Sequence, residues 1–437
     1  MIPSIIPIPL PGGLDMPLPK FLRARQRFVG DTVEDVAAAV AAEFEKFKHI
    51  DLTGKSVAVT VGSRGIRSQK PVVVAVIDEL KKAGADPFIV PAMGSHGGGT
   101  AEGQQKIVED YGMGADDMGV PLKSSMEVVE LAEVVDGLKV YCDKNAYEAD
   151  YIVPLNRVKP HTSFRGKWES GVCKMIAIGL GKHTGAVAMH RRGMARFPEL
   201  LPPITEAFLA KTNVLFGVAI VENGYERLHT VNLIPPEQII ERDAELLDLA
   251  KSLIPRLLLD QIDVLVVDEI GKNISGAGMD PNVTGRNSSK SNDFAGPEIQ
   301  QIVIRGLTEG THGNATGLGV ADVTTQAFVR QMDWTKTYVN LVTAGVPSGA
   351  SLPLVANSDR DALFIAMRGC PMLEGATSRI VRIENTLDLG EIWVSEAMAA
   401  DVAAHPEMEI IGEPFEISFD ADGQLGPFHG ADKMAAG

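Results

Sequence analysis

Short apolar runs rich in valine and isoleucine alternate along the chain with amphipathic stretches of helical period, and this alternation constrains the fold more than any other feature. The first cycle consists of residues 56–62 (SVAVTVG), 71–84 and 87–94. Because the apolar runs show no alternation of polar and apolar residues, both faces of each predicted strand should be covered. The sequence therefore predicts an α/β fold with mostly parallel sheets flanked by helices.

The same pattern continues and indicates two domains. Further apolar runs lie at 150–155, 213–224 and 262–271. A chain of 437 residues is too long for one compact unit of ordinary size. We predict an N-terminal catalytic and cofactor-binding domain over residues 1–258 and a C-terminal α/β domain over residues 259–437, with the active site in the cleft between them.

Composition excludes several classes of function. The chain has 41 Lys and Arg against 57 Asp and Glu, a formal net charge of −16, which argues against a nucleic-acid partner. Its three cysteines lack the close spacing of a disulfide framework or a cysteine metal site. Prolines interrupt the apolar N-terminus, and no run approaches the roughly twenty apolar residues of a membrane helix. We expect a cytoplasmic protein that binds neither nucleic acid nor membranes; a homo-oligomer is left open.

Glycines and polar or basic residues follow four predicted strands at the point where each ends. These segments are SRGIRSQKP after Gly62, GSHGGGT after Met93, NRVKPHTSFRG after Leu155 and GKNISGAG after Ile270. In open parallel sheets, ligands bind in the crevice outside the carboxyl ends of the strands. The convergence of four such segments indicates a binding site at the strand ends.

Two of these segments carry a histidine suited to proton transfer. His96 lies in a turn with Gly97, Gly98 and Gly99, whose backbone amides could bind an anion at the start of the next helix. His161 follows Pro160 at a strand end, and an unperturbed imidazole already titrates near neutrality. The alternatives are a histidine that only caps the following helix and a histidine that is satisfied within the structure.

The same segments supply candidates for substrate binding. Arg64 and Arg67 follow the first strand, where a guanidinium suits bidentate binding of a carboxylate or a phosphate, although surface arginines are frequent. Lys272 and Asn273 come directly after the strand that opens the predicted C-terminal domain. For this last pair a structural role is at least as well supported as contact with substrate.

A lysine and a later histidine complete the candidate site. Lys174 lies in the apolar, small-residue segment VCKMIAIGLG, where its amine could form a covalent link once desolvated, or could extend to the surface from a helix end. His190 follows sixteen residues later and could supply one ligand to a metal held mainly by a cofactor. His183, between them, has no helical metal-binding spacing to His190 and is predicted to be a bystander.

The order of these residues resembles the nickel-pincer nucleotide-dependent lactate racemase family. The shared features, over roughly residues 55–200, are a glycine-flanked histidine after the second strand, a Pro-His after the third, a lysine in a small-residue run and a histidine sixteen residues later. The resemblance implies a 2-hydroxy acid racemase or epimerase, an isomerase that works by reversible proton-coupled hydride transfer from substrate C2 to the nickel-pincer nucleotide.

The resemblance also implies a role for each residue. His96 and His161 correspond to the two bases, and Lys174 to the lysine linked covalently to the pyridinium-3,5-bisthiocarboxylic acid mononucleotide, with His190 as the nickel ligand. Arg64 is the counterpart of the family's arginine after the first strand, with Arg67 as its rival. Cofactor maturation proteins are implied as partners. The family's signature in the second domain is absent, so the 2-hydroxy acid need not be lactate.

Two other functions are open from the residues alone. The first is a nickel-free nucleotide-dependent dehydrogenase or lyase that uses His96 and His161 and leaves Lys174 unmodified. The second is a hydroxy-acid-binding protein that keeps the crevice and lacks turnover.

Overall fold

The computed structural model of the chain describes residues 3, 5–62, 66–289, 294–371 and 375–428. Arg64, one of the predicted carboxylate- or phosphate-binding residues, lies outside them.

The strands of these residues are β1 (Phe21–Gln26), β2 (Ser56–Val61), β3 (Asp86–Pro91), β4 (Val128–Val134), β5 (Leu138–Asp143), β6 (Tyr151–Val153), β7 (Leu155–Arg157), β8 (Gly217–Glu222), β9 (Leu228–Ile234), β10 (Gln261–Ile270), β11 (Glu298–Leu307), β12 (Val323–Thr325), β13 (Leu354–Ala356), β14 (Ile380–Ile383), β15 (Glu391–Ser395) and β16 (Met408–Phe415).

The helices are α1 (Val36–Phe44), α2 (Gln69–Lys82), α3 (Ala101–Asp110), α4 (Ala115–Met118), α5 (Lys144–Tyr147), α6 (Val172–Lys174), α7 (Lys182–His190), α8 (Phe197–Leu209), α9 (Ile239–Leu253), α10 (Pro281–Thr284), α11 (Gln326–Gln331), α12 (Trp334–Thr343), α13 (Asp359–Gly369) and α14 (Ala399–Ala404). A π-helical segment, Met175–Gly179, follows α6. Among the residues described, no helix has the length and apolar character needed to cross a bilayer.

The chain divides into two compact units, and the division differs from the predicted one at the N-terminus. One unit comprises residues 29–254, and the other comprises residues 1–28 together with 255–437. The first 28 residues, predicted to belong to the N-terminal domain, join the second unit because β1 pairs antiparallel with both β15 and β16. The position of a short isolated strand depends on its distant pairing partners, which no local pattern specifies.

The unit of residues 29–254 contains two three-stranded sheets, ordered β3-β2-β6 and β7-β8-β9, and the antiparallel pair β4-β5. Its strands are parallel except for β4-β5 and β8-β9. The predicted single strand at 150–155 is two strands, β6 and β7, which pair in different sheets on either side of Pro154. A proline has no N–H to donate to a strand ladder, so the pairing breaks there.

The strands of this unit are covered on both faces, as the uninterrupted apolar runs predict. In β2, Val57 and Val59 belong to a core that includes residues of α1 and α2. Ala58 points the other way, into a core that includes residues of α6, α8 and α9. Successive side chains of a strand alternate between the two faces of the sheet, so residues 57–61 of β2 are all buried.

The other unit is built on one eight-stranded sheet, ordered β13-β12-β11-β10-β14-β15-β1-β16. The strands from β13 to β14 are parallel, and β15, β1 and β16 are added antiparallel. In β10, Leu265 and Val267 lie in one core and Val264 and Val266 in another. The predicted α/β class with mostly parallel sheets is confirmed.

Candidate functional site

The ends of three strands in the unit of residues 29–254 meet through one buried carboxylate. Glu222, the last residue of β8, accepts a hydrogen bond from the backbone N–H of Ser68 at 3.0 Å. Glu222 also pairs with Arg157, the last residue of β7. Ser68 lies after the exit of β2 and immediately precedes α2. The carboxyl ends of β2, β7 and β8 therefore converge, as the parallel arrangement predicts.

Arg67 is exposed and directly precedes Ser68 in this junction, and its charge acts on a second carboxyl group, that of Glu226. Burial raises the pKa of Glu226, and the like charge of Glu222 adds to that shift, whereas the positive charges of Arg157, Lys159 and Arg67 oppose it. An arginine in this position can bind a carboxylate or a phosphate bidentately. Of the two arginines predicted to bind an anion after β2, Arg67 is the one that the structure describes.

His96 lies in the turn between β3 and α3, and three successive glycines give that turn its shape. Gly97, Gly98 and Gly99 all have positive φ, of 64°, 69° and 66°. A side chain is strained in this conformation, so glycine is the residue that permits it. The side chain of Thr100 then caps α3 by accepting from the N–H of Gly103 at 3.1 Å. The turn leaves His96 exposed at the end of the strand.

The His96 turn packs directly against the segment that follows Lys174. The N–H of Gly94 donates to the carbonyl of Gly179 at 3.4 Å. A Cβ placed on Gly94 would stand 3.0 Å from the side chain of Ile178, and one on Gly99 would stand 3.1 Å from Nδ1 of His183. His183 therefore lies against the glycine turn. The turn that carries one predicted base, His96, and the segment that follows the predicted tether, Lys174, are therefore neighbours in one unit.

His161 is held in a defined orientation after β7. Its backbone N–H donates to the carboxylate of Glu169 at 2.7 Å, and its ring nitrogen Nδ1 accepts from the N–H of Ser163 at 3.0 Å. Because Nδ1 is an acceptor, the neutral ring carries its proton on Nε2. The imidazole stacks on Phe164 with 4.1 Å between ring centroids. Its tautomer and its plane are both set by neighbours.

The loop that carries His161 closes on the buried carboxylate of Glu169. Lys159 and Ser170 form an antiparallel bridge at its base. Glu169, whose side chain is 0% exposed, pairs with Arg165 and Lys251, each at 3.1 Å. Two cations and two backbone N–H groups, those of residues 161 and 166, thus surround one carboxylate. A buried charge needs such partners. Because these partners come from several points of the loop and from α9, their bonds to Glu169 hold the loop in one conformation.

Lys174 ends the short helix α6, and a carboxylate from α9 holds the start of that helix. Asp243 is fully buried and accepts from the N–H groups of Val172 and Cys173 at 2.8 and 3.1 Å. A Cβ on Gly171 would stand 2.1 Å from the Asp243 carboxylate, so this approach requires glycine. The π-helical segment begins directly after Lys174. π-helical segments are rare in proteins, and those that do occur are often found at functional sites.

His190 ends α7 and joins His161 through a row of aromatic rings. Phe164 lies 5.3 Å from Phe197, and Phe197 lies 5.2 Å from His190, measured between ring centroids. We call His161, Phe164, Phe197 and His190 the aromatic row. Both phenylalanines are at most 2% exposed. The row therefore fixes the two imidazoles against one buried apolar surface.

The electrostatic surroundings of His190 favour its neutral form. One side of the residue is open to solvent, but its packing against the protein desolvates the ring and lowers its pKa, and the positive charge of Lys174 lowers it further. A neutral imidazole is the form that ligates a metal. Within the parts of the chain described, no three His, Cys, Asp or Glu side chains come close enough to hold a metal by themselves.

The two candidates from the other unit lie in the loop after β10. The Lys272 ammonium donates to the carbonyl of Gly276 at 2.8 Å, and Asn273 accepts from the hydroxyl of Thr308 at 2.6 Å. Lys272 thus holds its own loop, and Asn273 joins this loop to the end of β11. Their contact with substrate stays a prediction.

Several charged residues near the site, buried or partly buried, are not among the site residues predicted from the sequence. Glu222 lies near the end of the apolar run at 213–224 and Glu226 just after it, so this strand end carries charged residues as the other four carry polar ones. Lys182 lies in a small-residue run just as Lys174 does, and Lys182 is the one that is completely buried, at 0% exposure, whereas Lys174 is partly exposed. Burial raises the pKa of Asp143 and lowers that of Lys182, and the pairing of the two groups opposes both shifts.

Comparison with known proteins gives a domain family and a structural neighbour. Residues 60–269 match a family described as a domain of unknown function (DUF362). Among solved structures, the lactate racemase apoprotein from Thermoanaerobacterium thermosaccharolyticum matches with 14% sequence identity and a TM-score of 0.43, over 64% of this chain and 69% of that chain. A search of curated proteins by sequence finds no match.

Proposed function

We propose that the protein is a racemase or epimerase of a 2-hydroxy acid that works with a nickel-pincer nucleotide. In this proposal Lys174 carries the nucleotide and His190 binds the nickel. The observation that carries it is the electrostatic coupling of these two residues: the positive charge of Lys174 further lowers the pKa of a His190 imidazole that desolvation already lowers. When bound, the group supplies an acceptor for the hydride at substrate C2.

The residues present suit such a group. An amine that is to be acylated must be partly exposed and close to the metal ligand, and Lys174 meets both conditions. A cofactor that brings most of the metal's ligands needs one neutral imidazole from the protein, which His190 can provide. The glycines of the His96 turn leave backbone N–H groups and the start of α3 beside this segment, where they can bind a phosphate.

His96 and His161 move the hydroxyl proton in this proposal. They come from the turn after β3 and the loop after β7, so they can approach a substrate from different directions. Inversion at a hydroxyl-bearing carbon needs a base for each enantiomer, because each presents its hydroxyl differently. His161 would accept or donate through Nε2, since Nδ1 is occupied by Ser163. Arg67 or Arg64 would bind the substrate carboxylate.

The test begins with the covalent link. The chain is produced together with the cofactor maturation proteins, and the peptide that contains Lys174 is analysed by mass spectrometry alongside metal analysis of the intact protein. We expect a mass adduct on that peptide and stoichiometric nickel. Lys174→Arg should abolish the adduct, and Lys167→Arg, an exposed lysine outside the helix, serves as the control. An unmodified Lys174 peptide in metal-free protein would refute the proposal.

The second arm measures turnover. A panel of single-enantiomer 2-hydroxy acids is incubated with the loaded protein, and the products are separated by chiral chromatography. His96→Ala and His161→Ala should lose racemisation while they retain the Lys174 adduct and the nickel. His49→Ala, at an exposed histidine after α1, should behave as the wild type. Wild-type turnover in the His96→Ala and His161→Ala variants would exclude these residues as the two bases.

A further inference from the structure

Lys182 places an ammonium group in the interior, beside the turn that carries His96. The residue is 0% exposed. Its Nζ donates to the carbonyl of Pro91 at 2.7 Å and to Oε1 of Gln104 at 2.6 Å, and it lies 3.5 Å from Oδ2 of Asp143. An ammonium has three N–H donors and no acceptor; two of them are used in these hydrogen bonds, and the Asp143 carboxylate balances the charge as an ion pair. Burial of a charge is costly without such partners, so the ammonium is held at the point where these three groups meet.

Gln104 transmits the position of this ammonium to the His96 turn. Its side-chain Nε2 donates to the carbonyl of Gly94 at 2.8 Å and to the carbonyl of His96 at 3.2 Å. Because Lys182 can only donate, it requires the oxygen of the Gln104 amide to face it, and the NH2 group must then face the turn. The ammonium thereby selects the orientation of Gln104 that supports both carbonyls.

The backbone of Lys182 ties the same contacts to the helix that leads to His190. Lys182 is the first residue of α7 and has a φ of +54°. A left-handed conformation is unfavourable for a lysine and persists only where its surroundings enforce it. This left-handed residue lies where the chain leaves the π-helical segment and begins α7. One residue therefore contacts β3, orients α3 through Gln104 and begins the helix that ends at His190.

We propose that Lys182 and Gln104 form a positioning pair that fixes the His96 turn relative to α7, the helix that begins at Lys182 and ends at His190. The pair acts through the backbone of the turn and does not itself touch substrate. Its importance for catalysis rests on the proposed function, in which His96 is a base. Its effect on the turn does not depend on cofactor or turnover and can be measured in the protein alone.

The first test removes the link and measures local hydrogen exchange without cofactor. Gln104→Met keeps the length of the side chain and removes both amide contacts. We expect amide protection in the peptide covering residues 92–100 to fall by roughly tenfold, since two hydrogen bonds to the turn are lost and each contributes on the order of a threefold change in a local opening equilibrium. Gln105→Met makes the same change one residue later, at an exposed position that bonds to Glu109, and should leave that peptide unchanged.

Two further variants test the same link in case Gln104→Met does not fold. Gln104→Glu keeps an acceptor for Lys182 and removes the amide donor, so it should reproduce the loss of protection at 92–100. Lys182→Met combined with Asp143→Asn removes the ion pair together, which avoids a buried charge without a partner. It should give the same local loss because Gln104 is then free to turn over. Wild-type exchange at 92–100 in these variants would overturn the proposal, as would a uniform rise in exchange across residues 29–254.

Kinetics of the loaded enzyme separate positioning from general stability. Gln104→Glu should lower kcat by at least about tenfold with little change in KM, while the Lys174 adduct and the nickel content stay at wild-type levels. A wild-type kcat in a variant with increased exchange at 92–100 would overturn the role in positioning. Absence of turnover or of the adduct in the wild type would instead refute the proposed function, and the exchange experiment would still determine whether the pair fixes the turn.

Discussion

Replacing Gly103 by alanine should destabilise the unit of residues 29–254, although the same change in a helix is usually favourable. Gly103 lies in the first turn of α3, where alanine would gain at most about 1 kcal/mol in helix propensity. Here a Cβ would stand 2.0 Å from the carbonyl oxygen of Gly97 and 2.8 Å from the hydroxyl oxygen of Thr100. The helix and the His96 turn must therefore separate.

The steric cost and the loss of the cap together exceed the gain in helix propensity, so the net effect of Gly103→Ala on stability is a loss. Forcing extra atoms into a packed site costs about 1–3 kcal/mol. Separation also strains the contact by which Thr100 caps α3, since its hydroxyl oxygen accepts from Gly103, and loss of such a cap costs about 1 kcal/mol. The gain in propensity offsets the cap and leaves the steric cost. We expect Gly103→Ala to lower the free energy of unfolding by about 1–3 kcal/mol.

Urea denaturation followed by tryptophan fluorescence measures this change in the relevant unit. The chain has three tryptophans, and replacing Trp334 and Trp393 by phenylalanine leaves Trp168, which lies in the unit of residues 29–254. Gly185→Ala, inside α7, is the matched control because its Cβ would have its closest neighbour at an ordinary 3.5 Å. It should be neutral or stabilising by up to about 1 kcal/mol. Equal effects of Gly103→Ala and Gly185→Ala would refute the reasoning.

Three further predictions concern the aromatic row and the start of α6. Phe197→Leu should lower the free energy of unfolding by about 1–3 kcal/mol, since it removes two aromatic contacts, and should shift the NMR titration of His190; an unchanged titration would contradict the row's influence on that ring. Asp243→Ala should cost about 2–5 kcal/mol in urea denaturation, because two buried N–H groups at the start of α6 lose their acceptor, and Asp243→Asn should cost less. The pKa of His190 is lowered on folding, so the unfolded chain binds a proton more readily; stability should fall as the pH drops below the ordinary value of 6.5, and His190→Gln should remove that part of the dependence.

The strand and helix pattern follows from the sequence because it depends on local periodicity. Valine-rich runs such as 56–62 are apolar at every position, which predicts strands covered on both faces, and β2 has this environment. The exits of these strands could be located in the same way. The break at Pro154 could also have been inferred, since proline interrupts a ladder wherever it falls.

Local sequence patterns do not predict which charged residues are buried. Lys174 and Lys182 occupy similar small-residue surroundings in the sequence, yet Lys182 is the one that is fully buried. The difference lies in partners that are 78 and 91 residues away in the chain, Gln104 and the carbonyl of Pro91. A lysine is stable in the interior only where acceptors meet it, and these acceptors come from separate elements.

The sequence by itself thus determined the α/β class, the run of strand ends and the types of residue that gather there, because each of these depends on patterns within about twenty residues of chain. The tertiary structure decided which strands pair, that the first 28 residues join the C-terminal sheet, and that His161 and His190 flank one pair of phenylalanines. It also decided which lysine is buried. These features depend on contacts between distant residues, whose free energies are realised only when the whole unit is folded.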